Sequence, residues 1–148
     1  MSRREHNYNR PLARSEPVPQ KQGDGKTFLI IVEGKKTEPL YIIGLRDALQ
    51  LSSTRVIVYH SGSTDPLSMV KSAISLREAQ IKRSSLTPDL PYDEVWVVVD
   101  REAQNHPRGN QLPDVLSLAK QAGIRIVLSN PCFEFWLLLH FLFTTRAC

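Results

Sequence analysis

Three carboxylates stand where short apolar runs end. The run Val95-Trp96-Val97-Val98-Val99 stops abruptly at Asp100-Arg101-Glu102, and the apolar residues 28–32 stop at Glu33-Gly34. Val dominates the first run, and β-branched side chains suit a pleated surface. An unbroken apolar run of this length predicts a strand buried on both faces, as inside a parallel sheet. Asp100 and Glu102 are two residues apart, so they point the same way if the chain stays extended. Carboxylates closing a core strand need a cation, a hydrogen-bond network or open solvent. Three such acids in one small volume suit a hard cation. Mg²⁺ takes oxygen ligands, keeps several waters and is commonly held by one or two carboxylates plus substrate phosphates. Metal-assisted phosphodiester hydrolysis uses that arrangement. Lys35 and Lys36 follow Glu33 directly and are placed to neutralise a phosphate. The competing reading makes these acids turn residues and the lysines a solvated face.

The acids converge only if the elements carrying them are neighbours. Strands are predicted at 28–32, 55–59, 94–100 and 124–128. A helix is predicted from Thr37 as N-cap to about Gln50, with Leu40, Ile43, Ala48 and Leu49 as its apolar stripe. Asp65-Pro66 predicts an N-cap and first helical position, opening a helix to about Lys82 with Leu67, Val70, Ile74 and Ile81 on one side. A third helix spans 112–122, with Gly123 as its stop. A last helix takes Asn130 as N-cap and Pro131 as its first position. Alternating strands and helices imply a mainly parallel four-stranded sheet with helices on both faces. All strand C-termini then share one edge, where open α/β sheets bind ligands.

Composition bounds the alternatives. The chain has 148 residues, 41% hydrophobic and 23% charged, with a formal net charge of +4. That predicts one soluble globular domain with a mild lean toward nucleic acid. Residues 1–26 carry Arg3, Arg4, Arg10 and Arg14 among Pro11, Pro17 and Pro19, and predict a flexible basic arm before a domain at 27–148. Gly25-Lys26-Thr27 is not a P-loop ending, because Gln20 replaces the required Gly and a strand follows. Two cysteines, Cys132 and Cys148, make no disulfide framework, so a reducing, cytoplasmic setting is expected. No secretory signal and no membrane span are predicted.

The segment Cys132-Phe133-Glu134-Phe135-Trp136-Leu137-Leu138-Leu139-His140 is apolar nearly all round, so its helix is expected to be buried. Glu134 falls in the first turn. It serves either as a capping acid or as a fourth acid beside the strand ends. Cys132 and His140 lack zinc-ligand spacing and are expected to pack in the core.

Three blocks in order, Ile30-Ile31-Val32-Glu33-Gly34-Lys35-Lys36-Thr37-Glu38-Pro39, Val95 to Glu102, and Ser129-Asn130-Pro131 through Phe141, resemble the RloB-like family. The resemblance covers about residues 28–141. It implies a small three-layer Toprim-like α/β domain, like those of topoisomerases, primases and overcoming-lysogenization-defect nucleases. It further implies a Mg²⁺-dependent nuclease, with Mn²⁺ as the alternative ion, cutting DNA or RNA. Glu33 would be the catalytic Glu, and Asp100 and Glu102 the metal-binding acid pair, Glu102 standing where Asp is expected. Lys35, Lys36 and Arg101 are candidate phosphate contacts, and Glu134 is a candidate additional acid. The family is encoded beside AAA- or ABC-type ATPases in prokaryotic restriction and abortive-infection loci, implying an ATPase partner and a role in antiviral defence. The alternative is a non-catalytic Toprim-like adaptor that binds an ATPase or nucleic acid. Family members continue past this block, so the resemblance also implies a chain shortened at its C-terminus.

Overall fold

Four strands form one parallel sheet: β1 (Thr27–Val32), β2 (Arg55–His60), β3 (Glu94–Asp100) and β4 (Arg125–Ser129), in the order β2-β1-β3-β4. The computed structural model describes residues 25–51, 55–87, 90–101 and 111–141. Residues 1–24 of the expected arm, Glu102, and residues 142–148 lie outside the described residues. Four helices alternate with the strands: α1 (Thr37–Ala48), α2 (Pro66–Ser84), α3 (Leu112–Ala122) and α4 (Phe133–Leu138). The result is the expected three-layer α/β domain, with strand boundaries within a residue or so of those read from the apolar runs.

Alternation along the strands sorts the core into two halves. Leu29 and Ile31 of β1 and Val95, Val97 and Val99 of β3 pack against Met69, Val70 and Ala73 of α2 and Val115 and Ala119 of α3. Val32, Val58 and Val98 face the other way, against Phe133 of α4 and the half-buried Tyr41, Ile42 and Ile43 of α1. Helices α2 and α3 therefore cover one face, and α1 and α4 the other. Each fully buried aliphatic side chain contributes about 1.5–3 kcal/mol, so these two clusters dominate the stability of the sheet.

The edge of the sheet opposite its carboxyl end is tied by charge. Glu94 accepts from Lys26 Nζ at 2.9 Å and from Trp96 Nε1 at 3.1 Å, and Arg125 stacks over the Trp96 ring at 5.0 Å. Asp93 Oδ2 also accepts from Thr27 N at 2.6 Å. These contacts link the starts of β1, β3 and β4 and help hold their register.

The helix ends follow the sequence signals in part. Asp65 caps α2, accepting from Ser68 N at 2.9 Å, and Gly123 ends α3 at φ 66°. Thr37 is not a cap; it is the first residue of α1, and Lys36 occupies the cap position without a side-chain bond. The expected stripe of α1 is also displaced. Leu40 and Leu49 are exposed, while Glu38 and Pro39 are buried. Ile43 of the expected stripe does pack on the core, beside Tyr41 and Ile42, and Glu38 bonds back to the turn after β1.

Helix α4 departs further from expectation. It is six residues long, its cap position is Cys132, and Asn130 and Pro131 precede it. Phe133 alone is buried in it; Trp136 is 49% exposed, and Leu138 and Leu139 are exposed too. The helix packs on the sheet through Phe133, which meets Val32, Val58 and Val98, and among the described residues no further layer covers its outer side. His140 is likewise at the surface rather than in the core, where its ring contacts Trp136 O at 2.9 Å and Tyr41 Oη at 3.2 Å. Cys132 is half-buried.

Candidate functional site

The strand order creates a crevice at one place on the carboxyl edge. From β1 the chain crosses to β2 on one side; from β3 it crosses to β4 on the other. The connections leave the neighbouring strands β1 and β3 in opposite directions, which defines the topological switch point where open α/β sheets bind ligands. Glu33 directly follows β1, and Asp100 ends β3. The two acids that the sequence analysis placed at separate strand ends thus stand on adjacent parallel strands.

Glu33 is held in an uncomfortable setting for an anion. Its Oε2 is buried and has no hydrogen-bond partner. Burial pushes its carboxyl above the usual range, and the charges of Asp100, Glu38 and Glu134 push it further the same way. Desolvation and like charge both disfavour the ionised form. A buried acceptor left unpaired costs roughly 1–3 kcal/mol, more when charged. A cation relieves both penalties at once. Among the described residues no three His, Cys, Asp or Glu side chains gather closely enough to hold a metal by themselves. Glu102, the third predicted ligand, lies outside the described residues. Glu33 and Asp100 nonetheless suit Mg²⁺, which needs only one or two protein carboxylates.

Glu134 is exposed in the first turn of α4, and its charge is among those that raise the Glu33 carboxyl. Lys35 and Lys36 are exposed in the turn after β1. Arg101 is exposed just past β3, with its backbone N donating to Ser129 O at 2.8 Å. Three exposed cationic side chains therefore follow the C-terminal ends of β1 and β3, next to Glu33 and Asp100.

Two residues of this edge escaped the sequence analysis. Glu38 is 5% exposed and accepts from Gly34 N at 2.9 Å. Its spacing, four residues after a glycine that ends a strand, was the available signal. His60 ends β2 in register with Val32, and its Nδ1 is buried without a partner. Among the described residues, the buried side-chain nitrogens and oxygens with no partner are this atom and Glu33 Oε2. Both lie at the C-terminal ends of neighbouring strands. Nothing in the sequence around His60 marks it.

The chain matches no curated protein and no solved structure. A family model described as RloB-like protein matches residues 28–148, which takes in all of the sheet but Thr27, all four helices, and Glu33 and Asp100. With the Glu33-Gly34 turn, the Asp100 strand end and the Phe133–Leu138 helix all inside that match, the chain belongs to the RloB-like protein family.

Proposed function

We propose that this RloB-like chain is a metal-dependent nuclease of Toprim type, hydrolysing phosphodiester bonds of DNA or RNA. The observation that carries the reading is Glu33 Oε2, buried and unpartnered beside the Asp100 strand end at the switch point. Glu33 and Asp100 would hold Mg²⁺ or Mn²⁺ together with Glu102. The ion supplies Lewis-acid polarisation of a phosphoryl oxygen and a hydroxide nucleophile at neutral pH. Glu33, whose carboxyl holds its proton above the usual range, is suited to pass a proton to or from the reacting oxygens. Lys35, Lys36 and Arg101 take the substrate's phosphates at the rim, as point charges and, for Arg101, as a bidentate donor.

Family membership supports the setting: prokaryotic antiviral defence of the abortive-infection kind, in the cytoplasm, with an AAA- or ABC-type ATPase partner encoded nearby. Among the described residues no helix is long and apolar enough to cross a membrane.

The test is thermal melting of wild type and Asp100→Asn, each with and without Mg²⁺, alongside a cleavage assay. At a hundredfold excess over Kd, bound metal should stabilise wild type by about 2.7 kcal/mol. Asp100→Asn should be blind to the metal, inactive, and no less stable than the metal-free wild type. Wild type indifferent to Mg²⁺ and Mn²⁺, with a destabilised mutant, would overturn the nuclease reading. The second reading, an adaptor that binds an ATPase or nucleic acid without catalysis, would then stand. It is favoured by the exposed side chains of Val127, Leu128, Trp136 and Leu138, apolar groups of the kind a protein partner covers.

A further inference from the structure

We propose that Glu38 is a positioning residue. Its carboxylate clamps the Glu33-Gly34 turn and so aims Glu33 into the crevice, without itself serving as a ligand. The inference rests on the metal-site reading above.

The geometry is specific. Glu38 sits in the first turn of α1, yet its Oε1 reaches back across the turn to accept from Gly34 N at 2.9 Å. A carboxylate accepting from a backbone N–H makes a charge-assisted bond, stronger than a neutral one. The N-terminus of α1 favours an anion in this place. The cap position itself makes no side-chain bond, so Glu38 replaces an ordinary cap with one that holds the preceding turn. Gly34 leaves room for the same contact. A Cβ there would overlap the Glu38 carboxylate, with Cδ at 2.7 Å. Glycine and glutamate are thus fitted to each other, and the residue directly before that glycine is Glu33.

A clamp and a ligand respond differently to loss of charge. Glu38→Gln keeps an oxygen that accepts from Gly34 N; Glu38→Ala and the shorter Glu38→Asp do not reach it. Outer groups that orient a metal ligand typically govern about 10–100-fold in metal affinity. Mn²⁺ titration of the full chain should therefore leave Glu38→Gln within about threefold of wild type, while Glu38→Ala and Glu38→Asp weaken by about tenfold or more. Gly34→Ala should weaken binding as Glu38→Ala does. In parallel, the amide proton of Gly34 in ¹⁵N-labelled protein should lie downfield in wild type, remain close to that position in Glu38→Gln and move upfield in Glu38→Ala.

Glu38→Gln weakened as severely as Glu38→Ala would overturn the proposal and make Glu38 a ligand. Wild-type affinity in Glu38→Ala would also overturn it. If Glu38→Ala does not fold, the comparison of Glu38→Gln with Glu38→Asp decides. If wild type binds no Mn²⁺, the metal reading fails by itself, and the Gly34 amide shift alone judges the clamp.

Discussion

At the scale of the residue, Glu33 concentrates the conflict in this molecule. It closes the first strand, its Oε2 has no partner, and burial and three neighbouring acids raise its carboxyl above the ordinary range. A raised acid binds its proton more tightly folded than unfolded. Stability of the metal-free protein should therefore fall as pH rises from the ordinary glutamate value of about 4.3 through the raised folded value. Glu33→Gln removes that loss. The variant should melt higher than wild type at pH 7 without metal, and the advantage should shrink as pH falls toward the unfolded value. Melts across this pH range check the sign. An advantage at pH 7 that persists undiminished in acid would mean that Gln packs better for reasons unrelated to charge.

At the scale of the element, α4 shows how composition misleads. Phe133-Glu134-Phe135-Trp136-Leu137-Leu138 reads as a helix buried all round, yet Phe133 is 7% and Trp136 49% exposed. Tyr41 of α1 packs edge-on to Phe133 at 5.5 Å, while among the described residues the Trp136 ring meets the exposed His140 ring at 5.0 Å. Phe133→Ala should cost about 3–5 kcal/mol, as for other buried aromatic truncations. Trp136→Ala should cost only about 1 kcal/mol. Chemical denaturation of both variants separates them; equal losses would mean that the outer side of α4 is covered in solution. The same contrast holds in α1, where Leu40 and Leu49 face solvent while Glu38 is buried.

At the scale of the whole molecule, exposed apolar residues lie on β4 and α4 as well as on α1, α2 and α3. β4 is an edge strand, and Val127 and Leu128 project from its two faces at 38% and 41% exposure, close in sequence to the exposed Trp136 and Leu138. An uncovered apolar edge strand invites association. Leu128→Lys should reduce self-association in sedimentation velocity and change stability by no more than about 0.5 kcal/mol. A large loss of stability would show that Leu128 packs within the fold.

Much of this architecture was legible before any coordinates. Val- and Ile-rich runs marked every strand; for the central β1 and β3 the reason is burial on both faces, while the edge strands β2 and β4 keep the apolar run without that burial. Asp65-Pro66 and Gly123 marked helix ends, because caps and left-handed stops depend on local backbone chemistry. The acids at the ends of two of those strands followed from the same runs, and so did the RloB-like resemblance. What local chemistry leaves open is adjacency. Only the order β2-β1-β3-β4 puts Glu33 beside Asp100 at a switch point, since strands distant in sequence choose neighbours through packing across the whole sheet. Only the fold turns Glu38 back onto Gly34, brings Glu134 of α4 within electrostatic reach of Glu33, and leaves the outer side of α4 uncovered. Burial depends on which layers meet, and that is decided between elements rather than within them.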